Sequence, residues 1–376
     1  MMKTSMQELN DFGQSVWLDD ISRSSIENGR LKKMITLGLA GITTNPTIFE
    51  KAINKTADYD DKIRRLHDFG KTALEIYDDL TVEDVRDAAD LLKPTYDATK
   101  GRDGYASLEI DPKLAFNAEN SVSEGIRLFK KLNRPNVMIK IPATEAGLRA
   151  AQELTANGVN VNVTLIFSVD QYVKAFKSYV EGLEKRILNG LDVQNICSVA
   201  SIFVSRLDTA VDNLIVQDIE RKITIGQKRW VENLKGKSAT ANAKIIYASY
   251  LELIVSSRFG DLAVKGVLPQ RILWASTGVN DPHDSRIKYV TNLIAKDTAV
   301  AMHLETFDVF LYQGKAKQAL NSNINDALKI ISNLKDVNIF MDDICRNLLV
   351  RGISLFSDSF DAVVNSIESR FEKVTA

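Results

Sequence analysis

Eight short apolar runs alternate with longer segments of helical spacing in a chain of 376 residues. Together these predict an α/β chain folded as a (β/α)8 TIM barrel with additional helices at the termini. An open doubly wound sheet is the alternative, and a third observation counts against it: no G-x-G-x-x-G turn follows any of the runs. A barrel needs roughly 250 residues, so surplus length remains in the first loops and after residue 305. There is no Pro/Gly/Ser linker, low-complexity tract or repeat at solenoid spacing. Residues 1-376 therefore read as a single barrel domain with a C-terminal helical extension over about 305-376.

In chain order, the first predicted strand is SVWLDD (15–20), with Asp19 near its end. GITTNP (41–46) is the second and carries Asn45. YASLEID (105–111) carries Glu109, and NVMIKIP (136–142) carries Lys140. The following TEAGLRAAQELTANG has Leu148, Ala151 and Leu154 on one helical face and Asn157-Gly158 as a stop. VNVNVTLIFS (159–168) holds Asn162 and Thr164, two apart and so on one face of a strand. ICSVASIFVS (196–205) carries Ser201, RILWAST (271–277) carries Ser276, and DTAVAMH (297–303) is the eighth strand. Beyond it, ETFDVFLYQGKAKQALNSNINDALKIISNL and DDICRNLLVRGISLFSDSFDAVVNSIESRFEKV read as helices.

Composition narrows the function. Apolar residues make up 45%, charged residues 26%, and net charge is −1, the balance of an ordinary globular protein. With no basic block there is neither a nucleic-acid footprint nor a polybasic membrane surface. The N-terminus lacks the apolar core of a signal peptide, and no apolar run is long enough for a transmembrane helix. Cys197 and Cys345 form neither a CxxC motif nor a disulfide framework. The expectation is a cytoplasmic protein. His67, His283 and His303 are scattered, without metal-binding spacing, so no metal and no cofactor are expected.

The polar residues near the strand ends are the informative feature, since in a barrel those ends converge on the face where the loops build the active site. Taken singly, some have structural explanations: Asp19-Asp20 could cap a helix, and Thr44-Asn45-Pro46 could start one. Lys140 is different. It sits among Val137, Met138, Ile139 and Ile141, and lysine is almost never buried unless paired. With Asn162 and Thr164 one strand further on, it makes an inward polar cluster that a structural core would avoid. A desolvated lysine loses its proton readily, attacks a ketone and forms a Schiff base. The iminium then acts as an electron sink while Asp19 or Glu109 moves protons. Thr164 could hold a water between them, and asparagines could bond substrate hydroxyls without adding charge.

GITTNPTIFEKAI, LEIDPKLAFN, VMIKIPATEAGLRAAQEL, NVNVTLIFS and SIFVSRLD closely resemble the corresponding motifs of transaldolases. The resemblance runs from about residue 12 to about 310. SVWLDDISRSSIENGRL and LWASTGV make it fit best the longer bacterial members. It implies a class I Schiff-base barrel of the pentose phosphate pathway, moving a dihydroxyacetone unit from sedoheptulose 7-phosphate to glyceraldehyde 3-phosphate. Fructose 6-phosphate and erythrose 4-phosphate are the related substrates. By the same resemblance Lys140 is the Schiff-base lysine, and Asp19 the acid/base of C–C cleavage. Glu109 and Thr164 position the water of imine formation. Asn45 and Asn162 hold the dihydroxyacetone hydroxyls with Ser201 nearby, while Arg206 and Ser276 take the phosphate.

Two stretches depart from the family pattern. STGVNDPHD places Asn280 where the longer members have a lysine after TGV, with no cation before Arg286, and TAVAMH stands where relatives read like TVNTMP. The first departure admits a second reading, a Schiff-base aldolase or a transferase for a different or less phosphorylated sugar. A third reading, a catalytically silent scaffold, conflicts with retention of Lys140, Asp19, Glu109 and Thr164 together. Oligomeric state, a homo-oligomer included, is left open.

Overall fold

The computed structural model describes residues 3–221, 224–321 and 324–372. Eight parallel strands close in chain order into a barrel: β1 Gln14–Leu18, β2 Leu39–Thr43, β3 Tyr105–Glu109, β4 Val137–Pro142, β5 Val161–Ile166, β6 Ser198–Phe203, β7 Arg271–Ala275 and β8 Thr298–Met302. All eight predicted strands are present. Most are trimmed versions of their runs, the flanking residues having left the ladder to form loops, whereas β1 begins one residue before its run and β2 two residues before. DTAVAMH pairs on both sides, with β1 and β7, and so closes the ring.

Strand residues alternate between two apolar layers. One face of each strand packs against the helices. The other fills the barrel, where Trp17, Tyr105, Met138, Cys197, Val199, Leu273, Ala299 and Ala301 form a separate inner cluster. Below that cluster the N-terminal end is sealed by ions. Arg271 Nη2 donates to Asp103 Oδ1 at 2.7 Å and Nη1 to Ser15 Oγ at 2.8 Å, and Ser15 Oγ donates to Asp103 Oδ2 at 2.8 Å. Both charged residues are buried.

The helix after β4 spans Glu145–Ala156 and buries Leu148, Ala151 and Leu154 on one side, as its spacing predicts. Thr144 caps its start by accepting from Gly147 N, and Gly158 follows in the left-handed region. The surplus length is distributed differently from the expectation. The β2–β3 connection does contain extra helices, Pro46–Asn54, Asp60–Asp68 and Ala73–Ala98, but so does the β6–β7 connection, with Ser205–Arg221, Ile225–Glu232, Ser238–Ile254 and Ser257–Ala263.

The predicted C-terminal extension forms helices Leu304–Gln313, Asn325–Lys335 and Met341–Glu372. The last, 32 residues long, runs across the C-terminal end of the barrel. Thr47 and Ser359 share a hydrogen bond of 3.0 Å, and Cys345 Sγ meets Phe167 O at 3.3 Å. Lys113 pairs with Asp361 and Arg370 with Asp60. Gly352 lets the helix come close to β5, since a Cβ there would lie 2.8 Å from Leu165 Cδ2. No helix of the described residues is long and apolar enough to cross a membrane.

Candidate active site

Parallel register sets the first three groups side by side. Glu109 pairs with Lys140 across β3–β4, and Lys140 with Asn162 across β4–β5. All three lie at one height near the strand ends and point into the barrel. Lys140 is 2% exposed. Its Nζ donates to Thr44 O at 2.9 Å and stands 3.4 Å from Glu109 Oε2. The Glu109 contact is close enough for an ion pair but too poorly aligned for a hydrogen bond. Both Glu109 oxygens and Thr164 Oγ1 are therefore buried polar atoms without a hydrogen-bond partner. Such orphans are costly in a core and usual at a site that receives water or a ligand.

Burial pushes the Glu109 carboxyl up to about 7, against the opposing pull of Lys140, with Asp19 adding to the rise and Arg206 opposing it. A carboxyl poised there both gives and takes a proton near neutrality.

Asn162 is held at both ends of its amide. Ser201 Oγ donates to Oδ1 at 2.7 Å, and Nδ2 donates to Ser107 Oγ at 3.1 Å. Thr164 shares the inward face of β5 with Asn162, and an irregularity invisible in the sequence follows it. Leu165 has φ of 58°, and the β5–β6 register shifts between Val163 and Ile166. Bulges of this kind re-aim neighbouring side chains and gather at active sites. Ser276 is likewise left-handed, with φ of 53°. Its hydroxyl lies 2.9 Å from Ser205 Oγ at the start of the helix after β6.

The structural explanations for single residues divide. Asn45 does cap a helix, its Oδ1 accepting from Ile48 N at 3.1 Å, which leaves its Nδ2 to offer a substrate. Asp19 caps nothing: Ser22 caps the helix Arg23–Glu27, and Asp19 continues the β1–β8 ladder, its N donating to Met302 O at 2.9 Å.

Arg206 is not a solvent-facing arginine. Its guanidinium carbon lies 5.3 Å from the Phe203 ring centroid and 5.8 Å from that of Phe356, two cation–π contacts that hold the cation at the barrel mouth. Phe356 also stands 5.9 Å from Lys140 Nζ. Sequence reasoning missed Phe356, Phe203, Thr44 and Ser107. For Phe203 a signal existed, since it lies within SIFVSRLD; Phe356, on a helix far along the chain, gave none.

Two openings flank the cluster. A cavity of about 320 Å³ between β3, the Ala73–Ala98 helix and the C-terminal helix is lined by Glu109, Tyr77, Asp111 and Phe360. A cleft of about 840 Å³ on the far side is lined by Asp19, Asn280, Arg286 and His303. Asn280 Nδ2 donates to Thr209 Oγ1 at 3.1 Å, so the loop after β7 anchors on a helix and brings no charge at that position. The whole arrangement offers a buried amine, two carboxyls in different surroundings, fixed amides for hydroxyls and a stacked guanidinium for an anion.

Residues 16–367 match the model of a family described as transaldolase/fructose-6-phosphate aldolase. A protein of Trichodesmium erythraeum (strain IMS101) described as a transaldolase is 42% identical, with 100% of each chain covered. One of Nostoc punctiforme described as transaldolase 2 is 40% identical over 99% of each. A Saccharopolyspora erythraea transaldolase is 39% identical over 98% of each.

Proposed function

The chain belongs to the transaldolase/fructose-6-phosphate aldolase family, and we infer that it carries out the transaldolase reaction, moving a dihydroxyacetone unit from sedoheptulose 7-phosphate to glyceraldehyde 3-phosphate through a Schiff base on Lys140. The observation that supports this most is the burial of the Lys140 amine within 3.4 Å of the Glu109 carboxyl, at the same level as Asn162. An idle core gains nothing from such a group.

Lys140 Nζ adds to the ketose carbonyl carbon. Glu109, through a water shared with Thr164, protonates the departing hydroxyl, and water leaves as the iminium forms. Asp19 then takes the proton of the hydroxyl beside the scissile bond. The C–C bond breaks, its electrons pass into the iminium to give an enamine, and an aldehyde leaves. The acceptor aldehyde is attacked by the enamine and receives the proton from Asp19. Hydrolysis with Glu109 and the same water frees Lys140. Asn45 and Asn162 hold the dihydroxyacetone hydroxyls meanwhile, Ser201 orienting the Asn162 amide. Arg206 and Ser276 take the phosphate, at the positive end of the helix after β6.

Borohydride added with fructose 6-phosphate tests the reading. The adduct is expected on the peptide containing Lys140, and undiminished adduct in Lys140→Ala would overturn it. Asn280 favours a second reading at the phosphate alone, because it adds no charge beside Arg206: transfer or cleavage of less phosphorylated sugars. Release of free dihydroxyacetone from fructose 6-phosphate without an acceptor would mark an aldolase.

A further inference from the structure

His303 stands beside Asp19 and has no part in the mechanism above. The β1–β8 register puts it there: Leu18 pairs with Met302, so the next residue of each strand emerges side by side. His303 occupies the N-cap position of the helix Leu304–Gln313, yet its side chain makes no cap bond. The ring turns to Asp19 instead. Nδ1 lies 3.2 Å from Asp19 O and 4.0 Å from Asp19 Oδ2.

The two side chains differ in depth, that of Asp19 being 12% exposed and that of His303 51%. The imidazole is thus the outer member of the pair, and both residues line the same cleft. Across the cleft the loop after β7 makes room for the ring with Gly278, where a Cβ would stand 3.3 Å from His303 Cδ2 and 3.8 Å from Nε2. Nδ1 thus faces Asp19, while Nε2 lies toward the loop after β7.

Charged groups of both signs surround this pair, and from inside the barrel mouth Arg206 and Glu109 also face Asp19. The β1 loop brings Asp19 and Asp20. Burial pushes the Asp20 carboxyl up, with Asp19 adding to the rise and His303 and Arg30 opposing it. The loop after β7 contributes Asp281, Arg286 and Asp284, the last paired with Lys288. The helix Pro46–Asn54 contributes Lys51, and the helix His303 opens contributes Glu305.

Resting on the reading of Asp19 as the acid/base, we propose that His303 is a positioning residue that acts through Asp19, pinning the backbone at the end of β1 and, when charged, holding the neighbouring carboxylate ionised for proton abstraction. His303 takes no proton in the step itself: the hydroxyl proton goes to Asp19 and the bond electrons to the enamine. Its influence is electrostatic, across 4.0 Å at a partly exposed site.

The test is the pH profile of kcat/KM with fructose 6-phosphate and an aldehyde acceptor, measured for the full chain, His303→Gln, His303→Lys and Asp19→Asn. For His303→Gln the acid limb is expected to move up by roughly one-half to one pH unit, the scale of a single charge at that distance in a largely aqueous setting. His303→Lys, which keeps a positive charge, should return the limb toward its original place. KM and borohydride trapping at Lys140 should be unchanged in both. An unmoved acid limb in His303→Gln overturns the proposal, including the case where kcat falls equally at every pH, which marks a structural role. Should Asp19→Asn keep full turnover, the reading of Asp19 fails and this proposal with it. Should Asp19→Asn lose turnover while the limb in His303→Gln stays fixed, His303 alone is misassigned.

Discussion

At the scale of single residues, the site combines groups whose surroundings push them toward different tasks. Lys140→Arg should abolish both trapping and turnover, since a guanidinium does not deprotonate; trapping that persists in this variant would contradict the nucleophile assignment. Glu109 is held up to about 7, so it keeps a proton that the unfolded chain loses from about 4.5 upward. The stability it contributes is full below that range and lost as pH rises through about 7. The same titration should appear in catalysis. The rate of imine formation, followed by rapid borohydride quenching, should carry a limb that falls as pH rises through about 7. Glu109→Gln should lose that limb and be slower by roughly 10²–10⁴-fold. Arg206→Ala should raise KM strongly for phosphorylated donors while sparing the weak reaction with free dihydroxyacetone. Equal losses on both substrates would place the phosphate elsewhere. Lys140, Glu109, Asn162 and Thr164 were legible in the sequence because polar residues inside apolar strands stand out. The roles of Ser107 and Thr44 were not: Ser107 meets Asn162 only once the barrel has closed, and Thr44 receives Lys140 on its backbone carbonyl, which no side-chain pattern reveals.

At the scale of elements, the C-terminal helix turns an open barrel mouth into a covered one. Phe356, 1% exposed, reaches from it to both Arg206 and Lys140. Phe356→Leu keeps bulk but removes the aromatic face. A cation–π contact of roughly 0.5–2 kcal/mol corresponds to a several-fold rise in KM for phosphorylated ketoses, with little change for free dihydroxyacetone. Steady-state kinetics on the two substrates check it, and an unchanged KM would reduce Phe356 to packing. The helix pattern predicted this element, but not where it lies. Its register over the mouth is fixed by the Gly352–Leu165 approach and the Thr47–Ser359 bond, contacts spanning 187 and 312 residues of chain, respectively. The bulge at Leu165 was hidden for a similar reason. It is a compromise among neighbouring strands, and no local propensity favours a leucine at positive φ.

At the scale of the whole molecule, the buried ion network and the candidate site occupy opposite ends of the barrel, the division of stability and chemistry that the fold allows. The Arg271–Asp103–Ser15 network seals the N-terminal end, and its charges are buried. Removing one partner strands the other, at a cost of about 3–5 kcal/mol. Arg271→Ala should therefore lower the urea midpoint sharply while leaving KM unchanged at temperatures where it is folded; a large KM change would mean that the two ends are coupled. The sequence by itself determined the eight strands, their alternation with helices, and the polar residues their ends carry. Those signals are local: hydrophobic period, turn residues, and a lysine set among Val, Met and Ile. Only the tertiary structure decided the meeting of Arg206 with Phe203 and Phe356, the imidazole beside Asp19, the left-handed Leu165 and the cover over the mouth. Each of these depends on barrel closure and helix docking, which bring together residues far apart in the chain through geometry that a linear pattern does not encode.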